Sequence, residues 1–125
     1  MKLSNVIRLN EIISLKASSV IDIKLAYKIV KLNRHIDPDV RFYYETKQKL
    51  LNELASKNED GTFKIENDNY SFTDENRVIF NEKMIELVNT EVDIPDTLKF
   101  TLDELKDLRL SVSDVFTLEP IITEK

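Results

Sequence analysis

Residues 22–54 read DIKLAYKIVKLNRHIDPDVRFYYETKQKLLNEL, and this stretch decides the fold. Its apolar or aromatic positions are Leu25, Ile29, Leu32, Ile36, Val40, Tyr43, Leu50 and Leu54, with Lys47 filling the one gap. Steps of three and four residues put all of them on one face of an α-helix, close to a heptad seam. Asp22 stands where an N-cap belongs, since its short carboxylate can accept the free N–H groups of the first turn. Asp37-Pro38 looks like a second start, a cap followed by proline at the first helical position. The stripe nevertheless stays in phase across Pro38. The expectation is two nearly collinear helices, or one long helix kinked at Pro38. Some 30 helical residues would span roughly 45 Å, long for a chain of this size.

Working outward, residues 1–20 are ambiguous. Leu3 to Leu9 fits a short strand or the start of a helix, and Ser18-Ser19 closes the segment. The long helix should end near Lys57-Asn58. Asn58-Glu59-Asp60-Gly61 then reads as a turn. Phe63, Ile65, Tyr70 and Phe72 alternate around Glu66-Asn67-Asp68-Asn69, which marks a short β-hairpin. A lone hairpin is marginal in water, so it must lie on the long helix or on a further strand. Thr73 caps a helix running to about Asn89, with Asp74-Glu75 at its positive end. Val92-Asp93-Ile94 and Leu98-Lys99-Phe100 are short extended pieces. Thr101 to Glu104 is a capping box opening a helix to Leu108, and Ser111 to Asp114 is a cap opening Val115 to Leu118. Ile121-Ile122 can pack back on the core. The fold class is therefore α+β, mostly helical: a long kinked helix, a second helix, a small antiparallel hairpin and short C-terminal helices.

Composition narrows the function. The 125 residues, 42% of them hydrophobic, suit one domain spanning 1–125 with a modest core. There is no cysteine, one histidine and one glycine. Thiolate chemistry, zinc fingers, multi-histidine metal sites and glycine-rich phosphate loops are excluded. His35 lies on a polar helix face and reads as a surface or capping residue. Asp37 and Asp39, like Asp74 and Glu75, sit where carboxylates serve helix N-termini. Asn58–Gly61 and Glu66–Asn69 lack the alternating donors, central glycine and terminal glutamate of a calcium loop. No catalytic residue, cofactor or metal site is assigned, and the chain reads as a non-enzyme.

The charge is uneven. Residues 1–57, the basic helical half, carry 11 Lys/Arg against 6 Asp/Glu, whereas residues 58–125, the acidic α/β half, carry 7 against 17. A bipolar chain can bind itself head to tail or match a complementary partner. Lys24, Lys28, Lys31 and Arg34 line one face of the first helical region. They form a solvated helix face or a docking face for an acidic surface; a phosphate-tracking stripe would lack the glycine or aromatic platform of nucleic-acid binders. Nucleic acid is thus a poor fit. Phe42-Tyr43-Tyr44 cannot all lie on one seam. With Tyr43 on the stripe, Phe42 and Tyr44 project to either side, where they either pack under the hairpin or anchor a partner. No stretch is apolar enough to span a membrane, and the N-terminal residues show no signal-peptide pattern.

The order of segments carries a resemblance. Residues 23–32, the helical run from Tyr44 to Leu51, the turn Glu59-Asp60-Gly61, Phe80 to Lys83 leading to Glu86 through Val92, and the end from Leu110-Ser111 to Ile121-Ile122 together resemble a group of small bacteriophage late-gene proteins of unassigned function. The likeness covers most of the chain as a pattern of helix, turn and acidic tail. It brings no catalytic or ligand motif. Asp37-Pro38-Asp39 departs from the more continuous helix of that group. The resemblance implies a virion structural or assembly accessory protein, made in the host cytoplasm and bound to virion proteins or to itself, possible as a homo-oligomer. The alternative is a phage inhibitor of a host or anti-phage defence protein, its acidic half covering a basic surface.

Overall fold

A computed structural model of the protein describes residues 1–16 and 21–123. The expected closure at Ser18-Ser19 lies outside the described residues. The fold is α+β and mostly helical. The chain forms two compact units. One contains Met1–Val40 with Glu91–Lys125, the other Arg41–Thr90. The charge boundary at 57/58 coincides with neither junction.

The ambiguous N-terminal segment is a helix, α1 (Leu3–Lys16). Leu3, Val6, Ile7, Leu9 and Ile13 are buried along it. A strand would have turned Asn5 to the same side as Leu3 and Ile7, so helical spacing buries the apolar set with less polar surface. Helix α2 (Ile23–Leu54) is a single helix of 32 residues with Pro38 inside it. By the rise per residue it is about 48 Å long. Of the two expectations, two collinear helices or one long helix through Pro38, the structure has the single helix, and the buried stripe Leu25, Ile29, Leu32, Ile36 and Val40 stays in register up to and past the proline. Asp22 does cap the helix, its Oδ2 accepting from the N–H of Lys24 at 3.1 Å and of Leu25 at 3.4 Å. Beyond Val40 the seam shifts. Tyr43, Lys47, Leu50 and Leu54 are only half-buried, while Leu51 and Ala55 are buried. The helix ends three to four residues before the expected Lys57-Asn58.

In the first unit, the residues after Thr90 return to the start of the chain. The N–H of Val92 donates to the Met1 carbonyl at 2.7 Å, and the Met1 amino group reaches the Val92 carbonyl and the Glu91 carboxylate. Val92 and Ile94 are buried, as their alternation requires. A 3-10 turn at Asp96–Leu98 leads into β3 (Phe100–Thr101), which pairs in parallel with β4 (Ile122–Thr123), Phe100 opposite Ile122. Between them lie α4 (Leu102–Leu105) and α5 (Val112–Leu118), each opened by a complete capping box, Thr101/Glu104 and Ser111/Asp114. Helix α4 is shorter than the expected run to Leu108. A 3-10 turn at Glu119–Ile121 follows α5 and begins β4's return. Leu9, Ile13, Ile29, Phe100, Leu118 and Ile121 enclose only about 10 Å³ of free space, so this core is closely packed.

The second unit holds the end of α2, the hairpin β1 (Ile65–Glu66) and β2 (Asn69–Tyr70), and α3 (Asp74–Val88). Asn67 and Asp68 take φ of 53° and 63°, the pair of left-handed residues that a type I′ turn needs. Gly61 takes φ of 87° in the preceding turn. The Ser71 N–H donates to the Lys64 carbonyl, which lengthens the hairpin by a rung, and Ser56 after α2 accepts from the Lys64 N–H and donates to the Ser71 carbonyl. The rings of Phe63 and Tyr70 meet edge to face at 5.2 Å, and Phe72 lies 4.8 Å from Phe80 of α3. Phe72, just after β2, thus ties the hairpin's end to α3, while Ile65 and Tyr70 of the strands stay exposed. Thr73 caps α3 through the N–H of Asn76, and the Asn76 side chain donates to the Leu54 carbonyl.

The two units differ in their cores. Among the described residues, seventeen buried hydrophobic side chains lie in the first unit and three, Leu51, Ala55 and Leu87, in the second. The apolar positions Val78 and Ile85 of α3 face solvent.

Candidate interaction surface

Of the titratable groups first singled out, Asp37 and Asp39 do not stand at a helix N-terminus, because α2 runs unbroken past them. His35 Nε2 lies 2.7 Å from the Asp93 carbonyl, an oxygen that can only accept, so the ring donates there. Asp74 and Glu75 occupy the first turn of α3. Asp60 accepts from the hydroxyl and the N–H of Thr62, which hold its carboxyl below the ordinary carboxylate range. Among the described residues, no three His, Cys, Asp or Glu side chains are grouped to hold a metal ion. No helix among them is long and apolar enough to cross a membrane.

The lysine stripe divides. Lys28 donates to both carboxylate oxygens of Glu104, at 2.8 and 3.0 Å, and its Nζ stands 5.0 Å from the centre of the Phe100 ring. Glu104 also accepts from the N–H of Thr101 at 2.9 Å. These partners, Lys28 first, lower its pKa. One stripe residue is therefore the link between α2 and the capping box of α4. Lys31 lies over the ring of Tyr27, with 4.7 Å to its centre. Lys24 and Arg34 are exposed.

The charge asymmetry also changes meaning once the chain is folded. The basic segment 1–40 shares a unit with the acidic segment 91–125, and together they carry 11 Lys/Arg and 13 Asp/Glu. Residues 41–90 carry 7 and 10. Lys28 with Glu104 and Lys16 with Asp114, at 4.0 Å, are complementary pairs within the first unit. Much of the bipolarity is satisfied inside the chain.

Phe42 and Tyr44 are 55% and 47% exposed. Of the two alternatives for them, anchoring or packing under the hairpin, the second is not what the structure describes. The Tyr44 ring meets its neighbour Tyr43 edge-on at 5.1 Å. They belong to the second unit, whereas the four basic residues belong to the first.

Another exposed apolar face lies on α5. In α5, Val112, Val115 and Phe116 stand at i, i+3 and i+4, the spacing that turns a helix face inward. Here it turns outward. Val112 is 89% and Phe116 77% exposed, while Leu118 enters the core. Three constraints set this rotation: Leu118 and Ile121 fill the space beside Phe100, Ser111 caps the helix and donates its own N–H to the Asp114 carboxylate, and Asp114 also faces Lys16. The outward face opens on a groove of about 620 Å³ lined by Leu102, Leu110, Val112, Val115, Phe116 and Ile122, with Ser111 and Glu119. Sequence reasoning passed over this groove. The available signal was that four of the seven residues of α5 are apolar and lie on both of its sides, so a helix this short could not bury them all.

A second hollow of about 420 Å³ lies in the other unit, lined by Asn67, Asn69, Tyr70, Phe72, Arg77 and Phe80 among others. It is the more polar of the two.

Compared with known proteins, the chain matches no family model, no curated protein and no solved structure.

Proposed function

We propose that the protein is a non-enzymatic interaction module that docks a partner chain on the groove formed by α4, α5 and β4. The observation that carries this reading is the outward apolar face of α5. Fully burying one Val or Phe side chain gains about 1.5–3 kcal/mol, so leaving Val112 and Phe116 in water forgoes several kcal/mol that a partner would recover. Patches of this kind on soluble domains mark interaction sites. Lys24 and Arg34 offer further contacts in the first unit, and Phe42 and Tyr44 offer contacts of their own in the second. Of the basic stripe, Lys28 already has its partner. The resemblance to phage late-gene proteins supports a virion structural or assembly accessory role, with other virion proteins or a second copy as partner. Mass spectrometry of purified particles of the encoding phage tests this role. The protein is expected there at a fixed copy number, and Phe116→Ser is expected to remove it without changing its melting. Absence of the wild type from particles would refute the virion role.

A further inference from the structure

Two helix faces keep charges that the fold leaves unmatched. On α2, Ile23, Tyr27, Val30 and Arg34 follow at steps of four, three and four, on the side away from the buried stripe. Lys24 and Lys31 flank this row along one edge, and no acid stands between Asp22 and Asp37. On α3, Asp74, Val78, Glu82 and Ile85 follow at steps of four, four and three, flanked along one edge by Glu75 and Glu86. Of the two bases of α3, Arg77 lines the hollow beside the hairpin and Lys83 stands a step further round. The side chains of both rows and both edges are all exposed. Among the described residues, none of their charged groups has an ion pair. One face is thus apolar and cationic, the other apolar and anionic. Neither can meet its own counterpart without setting like charges face to face.

We infer that these two faces join copies of this chain, α2 of one protomer lying antiparallel along α3 of another. The second copy is the occupant because the rows match position for position. Run in opposite directions, Ile23 meets Ile85, Tyr27 meets Glu82, Val30 meets Val78 and Arg34 meets Asp74. Ile23 and Val30 are seven residues apart, as are Val78 and Ile85, so both apolar contacts recur after about 10.5 Å. The Tyr27 hydroxyl can donate to the Glu82 carboxylate. The edges agree as well. An antiparallel pair brings the same edge of each helix together, so Lys24 nears Glu86 and Lys31 nears Glu75, and such edge charges set partner and direction. A parallel pair would set Arg34 against the uncharged Asn89. Copies joined in this way close reciprocally as a dimer or a ring, or run on as a filament. The contact is small, so the association is weak and depends on concentration. None of these residues lines the α5 groove, so the inference goes beyond the docking reading and does not depend on it.

The test is sedimentation of the full chain at rising protein concentration and at several salt concentrations. The average mass should rise above that of the monomer, and added salt should lower it again. Lys24→Glu with Lys31→Glu reverses the edge of α2, and Glu75→Lys with Glu86→Lys reverses the edge of α3. Each double variant alone should need at least about tenfold more protein to associate. The α3 variant gains four charge units, which takes the formal net charge from −5 to −1, so general repulsion predicts the opposite result. Mixing the two double variants should restore association, and so should one chain carrying all four changes. Ile85→Ser, which leaves the charge alone, should weaken association by about tenfold. All these positions are exposed, and circular dichroism checks that each variant folds. A monomer up to about 1 mM, where a Kd of that size would show, would overturn the inference. If that monomer binds a helical Glu/Leu peptide and the α2 variant does not, the α2 face belongs to a foreign acidic helix. Association that both double variants keep would also overturn it; if Phe116→Ser then dissolves the assembly, the second copy sits in the α5 groove and the docking reading stands. Folded variants that neither the mixture nor the fourfold change restores would show that the two edges do not face each other.

Discussion

Replacing Pro38 with alanine should stabilise the protein. Pro38 sits inside α2 with 15 helical residues before it and 16 after. It has no N–H, so the Arg34 carbonyl lacks its i+4 donor, and its ring crowds the preceding turn. A proline in a helix interior costs about 3 kcal/mol relative to alanine. Against that, proline stiffens the unfolded chain, and removing it returns about 0.4–1 kcal/mol of unfolded-state freedom. Pro38 is exposed, so its ring contributes little packing that alanine would lose. The balance is a gain of about 2 kcal/mol, which for a chain of this size raises Tm by roughly 8 °C. Urea unfolding followed by far-ultraviolet circular dichroism gives the free energy, and a thermal scan gives Tm. If Pro38→Ala lowers Tm, the proline's geometry is itself used by the buried stripe on either side. The account of an in-phase helix that merely tolerates Pro38 would then be wrong.

Further predictions concern the core and its ties. Phe100→Ala should cost about 3–5 kcal/mol, because the ring is nearly fully buried and Leu118 and Ile121 pack around it; a loss under about 1 kcal/mol in urea titrations would show that this core is not the stable one. Glu104 has a lowered pKa when folded, so its ionised form contributes stability above the unfolded value of about 4.3, and that contribution disappears as pH falls through the lowered folded value. Acid titration of Glu104→Gln should therefore show a shallower loss of stability below about pH 4 than the wild type; identical acid curves would refute the Lys28 pairing. Amide exchange should be slower in α1 than in α3, since few buried side chains protect residues 41–90. Equal protection of the two helices would contradict the difference in cores.

How far the sequence could be read follows from what each signal depends on. Periodicity and caps are local, so Asp22, Thr73, Thr101 and Ser111 all cap where their side chains indicated. The Asn67-Asp68 turn was equally legible, because only a few residue types accept positive φ at both positions. The parallel pairing of Phe100 with Ile122 was not, since two-residue strands leave no period and their partner is distant in sequence. Pro38 left two readings open by a local rule, and the burial of Ile36 and Val40 on one face goes with the single helix. Lys28 appeared as one member of a surface stripe because nothing nearby in sequence announces Glu104. The rotation of α5 was hidden for a similar reason: which of its two apolar sides turns inward depends on Phe100 and Ile121.

The first unit is discontinuous, with fifty residues intervening between its two parts. On a ribosome this imposes an order. The continuous segment 41–90 emerges whole, while α1 and the first part of α2 must wait for Val92, Phe100 and Leu118 before their apolar faces are covered. At about 5–20 residues per second the wait is roughly 3–10 s for the intervening segment alone. During that interval the nascent chain displays Leu25, Ile29, Leu32 and Ile36 as an open helical stripe. A holding chaperone that recognises such a stripe would see this protein during its synthesis and lose it once the second part arrives.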